Sequence, residues 1–166
     1  MTAARQKRKR HGCEILAAGA VMFALASGIP ASFAATTEAV VVDWHTGLAI
    51  GGYDPVAFFA DGKARLGSQD FELPYAGAVW RFCNIGNREA FVSRPDIYMP
   101  RFGGYDPVGV ASGAAVAGNP TVWLIYGEQL FLFYDQTRRE AFGADPQGIL
   151  AKAERKWPAV LHTLSP

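Results

Sequence analysis

A β-hairpin is predicted by the stretch Thr121-Val122-Trp123-Leu124-Ile125-Tyr126-Gly127-Glu128-Gln129-Leu130-Phe131-Leu132-Phe133-Tyr134. β-branched and aromatic residues favour strands, and a glycine beside a polar residue favours a tight turn between two of them. This stretch is the clearest secondary-structure signal in the sequence.

Further strands and helices are predicted on both sides of this hairpin. Upstream, residues 56–59, 71–73 and 78–83 have the character of strands, with Trp80 and Phe82 on one face of the last and Val79, Arg81 and Cys83 on the other. Helices are predicted at 88–92 behind the N-cap Asn84, at 95–98, at 108–117, from Asp135 to about 142, and after Asp145. Since these elements do not alternate regularly as βαβ units, the predicted fold class is α+β.

The hexapeptide Gly-Gly-Tyr-Asp-Pro-Val occurs twice, at residues 51–56 and 103–108. Because the flanking sequences match poorly, we predict a turn motif used twice rather than two equal halves. The two copies could line one cleft with carboxylates and phenols that suit a hard cation or a small polar ligand. Alternatively, each aspartate accepts backbone N–H groups, each proline sets φ and each tyrosine packs over the turn. The residues concerned are Tyr53, Asp54, Pro55, Tyr105, Asp106 and Pro107.

The first 34 residues have the features of a secretory signal. A cationic head at residues 5–10 precedes an uncharged apolar stretch at 15–29, and Ser32-Phe33-Ala34 fits a cleavage site after Ala34. The sequence therefore predicts an exported protein, periplasmic or secreted, that meets the membrane only through its signal. An uncleaved N-terminal membrane anchor is the alternative, because residues 15–34 approach the length of about 20 residues that spans a bilayer.

The rest of the chain is predicted to form one small domain. We expect a lead-in at residues 35–46, the domain at 47–160 and a C-terminal tail at 161–166, with enough of the 50% apolar residues to build a core. Without residues 1–34 the chain carries 11 basic and 14 acidic residues and has no concentrated basic run, so a nucleic-acid partner is not expected. The expected partner is a protein or a small ligand.

Several segments resemble an extracytoplasmic YHS-domain protein, and the resemblance covers residues 47–158. They are Gly52-Tyr53-Asp54-Pro55-Val56-Ala57-Phe58-Phe59, Tyr75-Ala76-Gly77-Ala78-Val79-Trp80-Arg81-Phe82 and Phe91-Val92-Ser93-Arg94-Pro95-Asp96-Ile97-Tyr98, followed by residues 100–105, the hairpin and residues 153–158. The resemblance implies a small α+β domain. In shorter members of the family it implies the handling of heavy metals, particularly copper, through cysteines at three places.

Those three places are occupied here by Ala57, Cys83 and Asn87, and a further cysteine of longer exported members is replaced by Asp106. Only one thiol therefore remains for the metal that the resemblance implies. A copper or zinc ion would need two to four ligands, for which Cys83, His45, Asp54 and Asp106 are the candidates. The alternative is that no metal binds, Cys83 is a small apolar residue at the end of a core strand and His45 is a surface histidine.

No catalytic or cofactor-binding residues are assigned, because the sequence lacks a Gly-x-Ser-x-Gly elbow, a His-Glu-x-x-His motif and a complete phosphate loop. Three functions are carried forward. The first is a non-enzymatic binding or accessory module of the periplasm, with a link to metal handling. The second is a structural or protein-interaction domain without metal, and the third is a small thiol enzyme that pairs Cys83 with His45.

Overall fold

A computed structural model describes residues 39–164. The predicted signal at residues 1–34 lies outside the described residues, as do positions 35–38 and 165–166. Within the described range no helix is both long enough and apolar enough to cross a lipid bilayer.

The fold is α+β, as the sequence predicts, with two separate two-stranded antiparallel sheets among short helices. A 3₁₀ turn at Ile50–Gly52 opens the order, and a second at Arg101–Gly104 lies midway. Between them lie α1 (Ala57–Ala60), β1 (Ser68–Tyr75), β2 (Ala78–Phe82), α2 (Ile85–Ser93) and α3 (Pro95–Tyr98). After the second turn come α4 (Pro107–Ser112), β3 (Asn119–Tyr126), β4 (Gln129–Phe133), α5 (Gln136–Ala144) and α6 (Pro146–Leu164).

The same order of elements therefore occurs twice, in a first repeat (residues 50–98) and a second repeat (residues 101–164). Each repeat runs 3₁₀ turn, short helix, hairpin, nine-residue helix and proline-led helix, and β4 follows β2 at a distance of 51 residues. Both hairpins also carry the same register irregularity, after Ser68 and after Asn119. The prediction that only the turn motif repeats is wrong: side-chain identity has diverged while the backbone plan is kept.

One predicted strand is a helix. Residues 56–59 were expected to be a buried strand, but Ala57–Ala60 forms the single helical turn α1. The Oδ1 atom of Asp54 accepts the backbone N–H groups of Val56 and Ala57, at 2.8 and 3.3 Å, and this holds the chain in a helical turn. A run of four apolar residues is too short for its pattern to distinguish a strand from a buried helix. The hydrogen bonds to Asp54 therefore determine that this segment is helical.

The remaining element predictions are largely confirmed. Asn84 caps α2 by accepting the N–H of Asn87 at 2.9 Å, and Asp135 caps α5 by accepting the N–H of Arg138 at 2.9 Å. The helix expected at 108–117 is shorter and ends at Ser112, because Gly113 takes a left-handed conformation with φ 89°.

Equivalent aromatic triads form the cores of the two repeats. In the first, the rings of Trp80 and Phe82 lie 5.1 and 5.3 Å from that of Phe91. In the second repeat, the same distances from Phe131 and Phe133 to Phe142 are 5.2 and 5.3 Å. All six side chains are buried. The hairpins therefore pack on their own helices in the same way.

The two repeats join through the other face of the second hairpin. Leu130 and Leu132 belong to the core of the first repeat, and the ring of Trp123 lies 5.2 Å from that of Phe58. Strand β4 is thus covered on both faces, which explains its continuous apolar sequence. Val40, upstream of the first repeat, is also buried in this core.

Candidate functional site

Asp54 is the centre of the candidate site. Its side chain is fully buried, and its Oδ2 atom accepts the backbone N–H of Cys83 at 2.7 Å and the Nδ2 of Asn87 at 2.6 Å. Its Oδ1 atom binds the first amides of α1. One carboxylate therefore ties together the turn, the end of β2 and the first turn of α2.

Asp106 occupies the same place in the second repeat. It is fully buried, and it accepts the backbone N–H groups of Val108, Gly109 and Tyr134 at 2.7, 3.2 and 3.0 Å. The position of Asn87 is taken by Arg138, whose Nε lies 3.6 Å from Asp106 Oδ2. Each aspartate thus holds its own repeat together, and the interpretation of Asp54 and Asp106 as acceptors of backbone amides is confirmed.

The backbone conformation of the two glycines in each turn motif positions the aspartate that follows them. Gly51 and Gly52 take φ values of 63° and 80°, and Gly103 and Gly104 take 62° and 92°, a region that side-chain-bearing residues rarely adopt. The chain then returns to an extended conformation at the tyrosine. The prolines that follow, Pro55 and Pro107, are buried.

The two tyrosines of the turn motif each take part in a backbone bridge. Tyr53 pairs with Leu66, and Tyr105 pairs with Ala117, each in an isolated antiparallel bridge. Tyr53 packs against the core of the first repeat, and the ring of Tyr105 lies 6.0 Å from that of Trp157 in the second. Each tyrosine therefore packs within its own repeat.

Cys83 follows β2 and lies beside Asp54. Its Sγ contacts the carbonyl oxygen of Leu66 at 3.6 Å, and the thiol is partly buried. Burial and the neighbouring Asp54 carboxylate raise the pKa of the thiol to about 11, against a smaller opposing effect of the Arg65 guanidinium. The thiol is therefore protonated at neutral pH, and the protonated form is a poor nucleophile and a poor metal ligand.

The four predicted metal ligands are not all brought together. Cys83 and Asp54 are adjacent, whereas Asp106 is bound within the second repeat. His45 lies in the exposed turn after Asp43 and stacks on Trp44, with ring centroids 3.3 Å apart. Across residues 39–164 there is no group of three or more His, Cys, Asp or Glu side chains placed to hold a metal ion.

The structure does bring together the three positions at which the YHS resemblance implies cysteines. Ala57 and Cys83 each donate a backbone N–H to Asp54, and Asn87 donates its side-chain amide to the same carboxylate. From the sequence, Asn87 was recognisable only as a lost cysteine, and no local signal pointed to Arg138. The signal that could have revealed both was their similar spacing from the two aspartates, 33 residues from Asp54 to Asn87 and 32 from Asp106 to Arg138.

Comparison of the sequence with protein-family models, with curated proteins and with solved structures gives no match.

Proposed function

We propose that this chain is an exported, non-enzymatic binding module of the YHS type whose soft-metal site is reduced to a single thiol. The observation that supports the proposal is the meeting of Ala57, Cys83 and Asn87 on Asp54. Cys83 and Asn87 lie 26 and 30 residues after Ala57 in the sequence, and residues so far apart would not meet on one carboxylate in an arbitrary fold. Cysteines at these places would form a cluster suited to a soft metal ion.

The chemistry of the present residues opposes metal binding by this site. Asp54 already accepts hydrogen bonds at both oxygens, so a metal ion would have to displace donors that stabilise the fold. Cys83 would have to lose a proton from a thiol with a pKa of about 11. A single thiolate supplies neither the geometry nor the affinity of a transition-metal site. The same raised pKa weighs against a thiol enzyme.

Metal titration of the purified protein tests this proposal. For the wild-type chain we expect Cu(I) and Zn(II) to bind with a Kd weaker than about 10 μM, which corresponds to about −7 kcal/mol. The variants Asn87→Cys and Ala57→Cys/Asn87→Cys restore the family's thiols beside Cys83. We expect each added thiol to tighten Cu(I) binding stepwise, because neighbouring soft ligands act on the same ion.

The matched control is Val92→Cys, which adds a thiol at an exposed position of α2 and leaves the site unchanged. If Asn87→Cys binds Cu(I) no more tightly than Val92→Cys, the three positions do not form a ligand site and the YHS assignment fails. If the wild-type chain holds one Cu(I) that Cys83→Ser releases, the site is not reduced and that part of the proposal is wrong.

A further inference from the structure

A short segment ahead of the first repeat packs against both repeats. In this segment, the clasp (residues 39–43), successive side chains alternate between the two cores. Val40 is 3% exposed and belongs to the core of the first repeat, which Val42 also contacts. Val41 packs against the core of the second repeat. The clasp therefore belongs to neither repeat alone.

The backbone of one clasp residue connects the two 3₁₀ turns. The N–H of Val41 donates to the carbonyl oxygen of Gly103 at 2.8 Å, and the carbonyl oxygen of Val41 accepts the N–H of Ile50 at 2.9 Å. Gly103 lies three residues before Asp106, and Ile50 lies four residues before Asp54. Both aspartates thus follow a backbone position that the same clasp residue holds.

The clasp also restrains a strained residue. Ile50 has a φ of 44°, a left-handed value that β-branched residues rarely adopt. Such a conformation persists where the surrounding structure holds it in place, and the hydrogen bond to Val41 supplies part of that restraint. The N–H of Ala49 donates to Val79 of β2 at 2.9 Å, so the restrained turn is also tied to the strand that leads to Cys83.

The equivalent glycines of the two turns differ in whether the clasp covers them. Gly51 and Gly103 have nearly the same φ, 63° and 62°. A methyl group at Gly103 would collide with the carbonyl oxygen of Ala39 and lie 3.0 Å from Cα of Val40. Beyond its chain neighbours in the described range, a methyl group at Gly51 would meet nothing closer than a ring carbon of Tyr53 at 4.0 Å. Alanine at either position carries the same backbone strain, but only at Gly103 would it displace the clasp.

We propose that the clasp is a positioning element that couples the surroundings of Asp54 and Asp106. While it is engaged, both glycine turns are fixed, and when it is released, the hydrogen bonds of both aspartates loosen together. A disturbance in the turn of one repeat then reaches the aspartate of the other. This coupling depends only on the backbone contacts and packing of residues 39–43, so it is independent of whether the chain binds a metal.

Hydrogen exchange of the purified protein tests the coupling, because each aspartate accepts a backbone amide that reports on it. The N–H of Cys83 donates to Asp54, and the N–H of Tyr134 donates to Asp106. The rate at which each amide exchanges measures how often its hydrogen bond opens. Global unfolding also opens both bonds, so its contribution is measured separately in urea.

The variant Gly103→Ala displaces the clasp from the side of the second repeat. We expect exchange of Cys83, in the other repeat, to accelerate about tenfold beyond the change in global unfolding, because the hydrogen bonds of Val41 are weakened. The matched control Gly51→Ala carries the same backbone strain and leaves the clasp in place. It should leave the exchange of Tyr134 unchanged on the same scale.

A Gly103→Ala variant in which only Tyr134 exchanges faster shows that the clasp does not link the repeats and overturns the proposal. So does an exchange rate of Cys83 that rises no more than global unfolding does. If circular dichroism shows that Gly103→Ala does not fold, Val40→Ala decides, since Val40 is buried in the core of the first repeat. Exchange of Tyr134 that accelerates beyond global unfolding in this variant supports the coupling, and a change confined to Cys83 contradicts it.

Discussion

The variant Asp54→Asn tests the role of the buried carboxylate most sharply. Its oxygen can still accept the amides of Val56 and Ala57, but its new NH₂ group then faces the N–H of Cys83 and the Nδ2 of Asn87. Two hydrogen bonds to a charged acceptor, each worth about 1.5–3 kcal/mol, are replaced by contacts between donors. Relief from burying a charge offsets part of this loss, so we expect a net cost of about 3 kcal/mol.

Urea denaturation measures this cost. With an m value of about 2 kcal/mol/M, the midpoint should fall by about 1.5 M. Asp70→Asn is the matched control at an exposed aspartate and should change stability by less than about 0.5 kcal/mol. The double variant Asp54→Asn/Asn87→Asp restores a donor–acceptor pair and should recover part of the loss. If Asp54→Asn unfolds at the same urea concentration as the wild type, Asp54 does not hold the repeat together.

Three further perturbations follow from the same structure. Alkylation of Cys83 in the folded protein should be slow at neutral pH and accelerate towards pH 11. The pKa of the thiol in the folded protein, about 11, lies above the ordinary value of 9.0. The stability that the thiol contributes is therefore complete below pH 9 and is lost as pH rises through 11. Urea melts at several pH values should show this loss for the wild type and not for Cys83→Ala. Gly118→Ala would place a methyl group 2.6 Å from the Leu132 side chain and should lower the melting temperature. By contrast, the methyl group of Gly143→Ala in α5 meets no atom within 4 Å, so this variant should raise stability by about 0.5–1 kcal/mol. Phe142→Ala removes the ring at the centre of the second triad and should cost about 3–5 kcal/mol by chemical denaturation.

Local signals in the sequence were sufficient for the elements that they encode directly. The hairpin at 121–134 and the capped helices after Asn84 and Asp135 are confirmed, because alternation, turn residues and caps act over a few positions. The helical turn at Ala57–Ala60 was missed because its cap, Asp54, lies before an apolar run that equally suits a strand.

The duplication was not predicted, for a different reason. Trp80 and Phe131, or Pro74 and Ile125, are equivalent in position but not in residue type, so a comparison of flanking residues finds little. Packing depends on where an apolar ring is placed more than on which ring it is, and the two triads have nearly the same geometry.

The candidate site was partly predictable. The sequence singled out Cys83 and Asp54, which the structure places side by side, and Asp106, which holds the equivalent place in the other repeat. It left open whether His45 would join them or lie on the surface, and the structure places this residue in an exposed turn held by the side chain of Asp43. The sequence also could not show that Asn87 donates to Asp54, since that contact spans 33 residues.

The metal content of the protein isolated from its native cells tests the central proposal most directly. Elemental analysis of the native chain should find copper and zinc far below one atom per chain, unchanged in Cys83→Ser. One tightly held copper or zinc atom per chain that disappears in Cys83→Ser would show that a single thiol beside Asp54 suffices, and would contradict the account.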